Sequence, residues 1–250
     1  MSDTDQGMHL SRIDTVWSMV LDAHHATDER QVEAMERLLR RYGKAIHRYL
    51  LAVVGNADDA ADLAQELALR LVRGDFQAAR PERGRFRQMI KSAALNLVVD
   101  YHRRRRLRPG QLAESNPEVA DPANTAEDWD REFVASWRSR LLGLAASSLE
   151  RYQQRTGRPF YDVFRLRKEN PELSSAQLAE LMSQQQGRPI KSNWVRQMLL
   201  RARERYASAL LAEIWRSLEH PSPENLEEEL IELGLLKYCQ KHLARFGFGG

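Results

Sequence analysis

Large apolar side chains recur at every third or fourth position along most of this chain, a spacing that gathers them on one face of a helix and does not fit the two-residue alternation of a strand. Val32, Met35, Leu39, Tyr42, Ile46, Tyr49 and Val53 form one such stripe, which Gly55 and Asn56 end. Asp58 is a plausible cap for a second helix, with Ala60, Leu63, Leu67 and Leu71 facing inward until Gly74. After a loop with Pro81 and Gly84, Phe86, Met89, Ala93, Leu97 and Tyr101 mark a third helix that continues into Arg103, Arg104, Arg105 and Arg106. No segment alternates with β-branched residues, so the expected fold class is all-α.

The helical pattern breaks once. Pro109, Gly110, Pro117 and Pro122 stand among Ser, Asn, Asp and Glu, a composition that reads as a linker over 109–132. With 250 residues, two small helical domains can each bury a core. The expected division is an N-terminal extension over 1–30, a first domain over 31–108, the linker, a second domain over 133–215 and an acidic C-terminal extension over 216–250. In the second domain Phe133, Trp137, Leu141, Leu144 and Leu149 restart the helical stripe, and Tyr161 to Arg167 forms a short helix before a turn at Asn170 and Pro171. Ser174 or Ser175 then caps a helix bearing Leu178 and Leu181, and Ser192 caps one with Val195, Met198, Leu199, Ala202 and Tyr206 inward. The pair has the pattern of a helix-turn-helix, although the connection from Ser183 to Lys191 is longer than the usual three to four residues.

Charge is segregated along the chain. The formal net charge is only +3, yet ten basic residues against Glu82 and Asp100 between Arg80 and Arg108 give that stretch +8. Four consecutive arginines reach every side of a helix, and with Arg83, Arg85, Arg87 and Lys91 they make a long positive surface suited to nucleic-acid phosphates. Asn96 and Asp100, four residues apart, either brace that helix or contact bases. Phe86, Tyr101 and the tryptophans read as packing residues. Asp62, Gln65 and Glu66 lie at i, i+3 and i+4 on one helical face, which fits both a solvated acidic surface near a positive helix end and a docking surface for a basic partner.

Other classes are disfavoured. His24, His25, His47 and His102 do not supply the Glu-x-x-His pairs of a helical-bundle metal site, so no metal or cofactor is expected. Cys239 is the single cysteine, without a nearby histidine, and neither a phosphate loop nor a nucleophile elbow occurs, so the expectation is a binding protein and not an enzyme. The lone cysteine fits a reducing compartment. Met1 to Leu10 lacks the basic start and apolar run of a signal peptide, and no apolar run reaches bilayer length. A cytoplasmic protein without membrane insertion is expected.

The order Asp58-Asp59-Ala60-Ala61-Asp62-Leu63-Ala64-Gln65-Glu66, then Gly84-Arg85-Phe86, then Asn96 through Asp100 to the arginine run, resembles region two of bacterial sigma factors of the sigma-70 superfamily. The extracytoplasmic function group, whose members carry only regions two and four, is the most similar. Val195-Arg196 and Arg201-Ala202-Arg203-Glu204-Arg205 look like the recognition helix of region four, so the resemblance spans about 33–108 and 141–211. It implies core RNA polymerase, through its beta-prime clamp helices and beta flap, and promoter DNA as partners, with an anti-sigma protein as a further candidate. By the same resemblance Asp62, Gln65 and Glu66 match the clamp-helix contacts. The stretch Gly84 to Arg108 would capture the opened minus-ten strand beside the loop from Asp75 to Arg83, and Lys191, Asn193, Arg196, Gln197, Arg201 and Arg203 would serve the minus-thirty-five element. The competing readings are a free-standing helix-turn-helix regulator and a helical metal-dependent hydrolase. The glutamates from Glu219 to Glu232 raise one regulatory expectation, that they fold against the basic helices and screen them.

Overall fold

A computed structural model describes residues 28–73, 86–106, 122–218 and 221–243. Among these residues there are nine helices and no strand: α1 (Asp28–Val54), α2 (Ala57–Arg73), α3 (Phe86–Arg106), α4 (Pro122–Thr156), α5 (Phe160–Glu169), α6 (Ser175–Gln186), α7 (Ser192–Ser217), α8 (Pro223–Glu232) and α9 (Leu236–Leu243). None of the described helices is long and apolar enough to cross a membrane. The residues divide into two compact units, one running to Arg140 with the return segment Trp215–Gly234, the other Leu141–Ile214 with the segment from Leu235.

The first unit is organised by aromatic rings. Tyr42 of α1 and Trp137 of α4 stack with centroids 4.6 Å apart, and Phe86 at the start of α3 lies 5.5 Å from Tyr42 and 6.1 Å from Trp137. Phe133 continues the stack to Trp137 at 5.8 Å and meets the edge of Tyr49 at 5.2 Å. Leu38, Ile46, Leu50, Leu63, Leu67, Leu71, Ile90, Leu97 and Val98 complete the core. The stripe of α1 is rotated slightly from the expected one: Leu38 and Val54 are buried where Leu39 and Val53 are only half-buried. Val32 and Met35 lie outside the residues whose side chains are described.

Two expected boundaries are corrected here. The linker 109–132 and the second domain from 133 do not hold as read, because α4 begins at Pro122 and its first half packs within the first unit. Pro122 is the first residue of the helix, where a missing N–H costs nothing. Further along, Glu127, Asp128 and Arg131 are exposed on the outer side of a helix whose inner face carries Phe133 and Trp137. Arg48 fastens this half of α4 to α1, donating from Nε to Ser136 Oγ at 3.1 Å, from Nη1 to Ser139 Oγ at 2.9 Å and from Nη2 to the Ser136 carbonyl at 2.6 Å. Arg140 donates to the carbonyls of Arg40 and Arg41, and burial followed by the Arg41 charge lowers its pKa.

Nor do the described residues of 216–250 form a separate acidic extension. Ser222 caps α8 by accepting from the Asn225 N–H at 3.2 Å, with Pro223 at the helix start. Leu226, Leu230 and Leu233 are buried in the first unit, where Arg138 Nη1 donates to the Leu233 carbonyl at 3.2 Å. Gly234 follows in the left-handed region at φ +65, a conformation that excludes most side chains.

The second unit packs Val163, Leu178, Ala179, Met182, Val195 and Leu199 into one cluster from α5, α6 and α7. Leu181, expected inward, is half-buried, and Met182 takes the inner position. Ser174 makes the cap of α6: its hydroxyl accepts from the Gln177 N–H at 3.3 Å while Gln177 Oε1 accepts from the Ser174 N–H at 2.8 Å. Ser192 is the first helical residue of α7 and not its cap. The connection between α6 and α7 is also shorter than expected, because the helix continues through Gln184, Gln185 and Gln186 until Gly187 ends it at φ +64. Ser183 then ties the turn, accepting from the Ile190 N–H at 2.8 Å and donating to the Ala179 carbonyl at 2.6 Å. Tyr206 joins this cluster to its neighbours: its hydroxyl donates to the Leu142 carbonyl at 3.0 Å, and its ring stacks on Phe164 at 4.6 Å.

Two measurements test this packing. Trp137→Ala should cost about 3–5 kcal/mol in chemical denaturation, a loss that a residue in a mere linker boundary would not cause. Cys239, fully buried with its thiol pushed up to about 12 by burial, should resist a thiol-specific reagent at pH 8 in the folded chain and react at once in denaturant.

Candidate nucleic-acid interface

The acidic surface begins with a cap. Asn56 Oδ1 accepts from the N–H groups of Asp58 at 2.9 Å and Asp59 at 3.0 Å, so Asn56, and not Asp58, caps α2. Asp58 and Asp59 then occupy the first turn, where the helix end favours negative charge. Further along α2, Asp62 and Gln65 are exposed and Glu66 is half-exposed, all on the face opposite the core residues Leu63 and Leu67. Glu66 accepts from Arg70 Nη2 at 2.5 Å, an i, i+4 pair that holds its carboxylate in place. The three side chains are thus brought together on one accessible face.

The basic surface on α3 is more divided than its sequence. Arg103, Arg104 and Arg105 are exposed near the end of the helix. Arg106 is helical, and nothing of its side chain is described. Asn96 is exposed, while Asp100 pairs with Arg103 at 3.1 Å and so serves the basic residues instead of Asn96. Arg83 and Arg85 lie outside the described residues, as does the loop from Asp75 to Arg83.

Arg87 is the clear departure from expectation. Its side chain is 1% exposed and donates from Nε to Glu229 Oε1 at 2.7 Å and from Nη2 to Glu229 Oε2 at 3.2 Å, with a further bond to Glu232. Burial opposes its charge, but the hydrogen bonds and charges of Glu229 and Glu232 outweigh it and raise the pKa. Arg87, expected on the DNA-facing surface, is in this structure enclosed by carboxylates. Desolvating two such ions costs several kcal/mol each, which only this bidentate geometry recovers. Lys91 is partly withdrawn as well, pairing with Asp130 of α4.

Sequence reasoning missed Tyr101 as more than packing. Its hydroxyl donates to Asp59 Oδ2 at 2.7 Å and accepts from Arg105 Nη1 at 3.0 Å, linking the acidic start of α2 to the basic end of α3. Burial first, then the Asp59 bond, raises its pKa and keeps the hydroxyl a donor. The next residue, His102, stacks on Trp129 with centroids 5.8 Å apart. The only sequence signal for these links was the alternation of oppositely charged blocks, which does not say which pairs meet.

In the second unit Lys191, Asn193, Arg196, Gln197, Arg201 and Arg203 are all exposed, and Arg196, Leu200 and Arg203 share one side of α7 by their spacing. A cleft of about 370 Å³ opens there, lined by Arg167, Ser175, Arg196, Leu199, Leu200 and Arg203. Arg167 supports it from below, donating to the Asn170 carbonyl at 3.4 Å and to that of Leu173. Arg205 points elsewhere, its guanidinium 4.4 Å from the centre of the Tyr152 ring.

Residues 38–108 match the sequence model of a family described as Sigma-70 region 2. The match takes in all of α2 and α3 and most of α1. Neither the curated proteins nor the solved structures contain a match to this chain.

Tyr101→Phe keeps the ring and removes the hydroxyl between Asp59 and Arg105. It should lower stability by about 1 kcal/mol in thermal or chemical denaturation, with helix content unchanged by circular dichroism.

Proposed function

We propose, from the premise that residues 38–108 make this chain a sigma-70 family factor, that it joins core RNA polymerase and directs it to specific promoters by minus-ten and minus-thirty-five contacts. RNA polymerase binding and promoter melting come with region 2 itself. The finer reading is that Asp62, Gln65 and Glu66 meet the beta-prime clamp helices, and that the arginines at the end of α3 hold the phosphates of the opened strand. Asn96 is exposed on the same helix and on this reading contacts a base edge. The observation that carries this is the exposed Asp62, Gln65 and Glu66 face inside a matched region 2, on a helix tied to α3 by the Tyr101 to Asp59 bond.

In the second unit the α6 and α7 pair serves as a helix-turn-helix. Its five-residue connection, 187–191, is close to the usual length. The first turns of α7 would enter the major groove, with Lys191, Asn193, Arg196 and Gln197 nearest the bases and Arg201 and Arg203 on phosphates. Support comes from their shared exposure and from the arginine-lined cleft. This two-part layout is that of the extracytoplasmic function group. The work is divided as in other protein–DNA complexes, with phosphate contacts positioning the complex and base contacts selecting the sequence.

A pull-down with purified core RNA polymerase tests the reading. The wild-type chain should be retained, and Asp62→Ala/Gln65→Ala/Glu66→Ala should fall at least tenfold in retention while remaining helical. If the wild type is not retained even at low salt, the chain is not acting as a sigma factor and a free-standing DNA-binding regulator replaces it.

A further inference from the structure

The contact between α3 and α8 joins residues 142 apart in the chain, and its centre is a fully enclosed ion pair. Arg87 stands in the first turn of α3 and is the first basic residue of that helix, while Glu229 and Glu232 come from a helix beyond the matched region. A guanidinium gripped by two carboxylates uses the same planar fork that grips a phosphodiester. Gln88 is drawn in too, donating from Nε2 to Glu232 Oε2 at 3.2 Å.

The helix α8 is built for this position and is amphipathic. Leu226 and Leu230 are buried beneath it, whereas Glu224, Glu227 and Glu228 are exposed on its outer side. Glu232 sits at the rim with a side chain 43% exposed, so the outer carboxylate beside the enclosed Arg87–Glu229 pair is open to competition from one edge. Apolar contacts alone would hold α8 without regard to a nucleic acid. A buried pair makes the hold depend on which anion Arg87 has, because a guanidinium left without one in a dry site is strongly unfavourable.

We propose that Pro223–Glu232 is an acidic strap that occupies the Arg87 face of region 2 in place of a DNA phosphate, and that DNA and the strap compete for that face. This rests on the reading of α3 as the DNA-facing helix. The strap leaves Arg103, Arg104 and Arg105 exposed for a first encounter, after which the DNA backbone displaces Glu229 and Glu232 from Arg87 and Gln88.

The experiment uses the full chain and a fluorescein-labelled mixed-sequence single-stranded DNA of about one helical turn's length, with affinity followed by anisotropy across salt concentrations. Glu229→Gln/Glu232→Gln should bind roughly tenfold more tightly, with a salt slope steeper by about 0.7 for one added phosphate contact. Glu227→Gln/Glu228→Gln, with the same change in charge on the outer side of α8, should gain much less. Equal gains in both variants mean general electrostatics and overturn the strap. Hydrogen exchange on the wild-type chain gives an answer that needs no variant: amides of 223–232 should exchange faster at saturating DNA, and DNA binding with these amides still protected overturns the proposal alone. If no form of the chain binds DNA, alone or with core polymerase, the DNA-facing reading of α3 fails and the strap falls with it.

Discussion

The stack of Trp137 on Tyr42, with Phe86 against both, is the contact on which the first unit depends. Three helices that are far apart in sequence meet at these rings, and all three aromatic side chains are fully buried there. Once Tyr42 and Phe86 are fixed, the direction of α1 and the start of α3 are fixed. The acidic face of α2 and the basic end of α3 then take their places, joined by Tyr101 between Asp59 and Arg105. Core packing thus determines where these charges are presented.

Around that core the arginines divide into two groups by what surrounds them. Arg48, Arg138 and Arg140 end on serine hydroxyls and backbone carbonyls and act as cross-links between segments. Arg103, Arg104 and Arg105 stay at the surface, available to a polyanion. Arg87 belongs to the first group by its burial and to the second by its place in the chain. Its carboxylate partners therefore come from the return segment, whose negative charge complements the basic stretch.

Much of the fold was legible in the pattern of apolar residues. The helices α2 and α3 and the α6 and α7 pair appear where the three-and-four spacing places them, because that spacing is set by helix geometry alone. The start of α4 was not legible. Pro122 and the polar residues after it have the composition of a linker, and only the presence of a ring stack to bury Phe133 and Trp137 makes them a helix. The cap of α2 was misplaced by two residues, since Asn56 and Asp58 are equally good caps by type and the backbone geometry chooses between them. Exposure of Asp62, Gln65, Lys191, Asn193, Arg196 and Gln197 followed from their positions opposite the apolar stripes.

What the sequence determined by itself is local and periodic: helical class, the faces of the helices, the blocks of opposite charge and the order of motifs that marks region 2. What the tertiary structure decided is pairing. Arg87 and Arg104 are the same residue type in one basic run, yet one is enclosed by Glu229 and Glu232 and the other meets solvent. The reason is physical. Helix periodicity is a property of neighbours three or four residues apart, whereas the partner of a charge depends on which distant segment is packed over it.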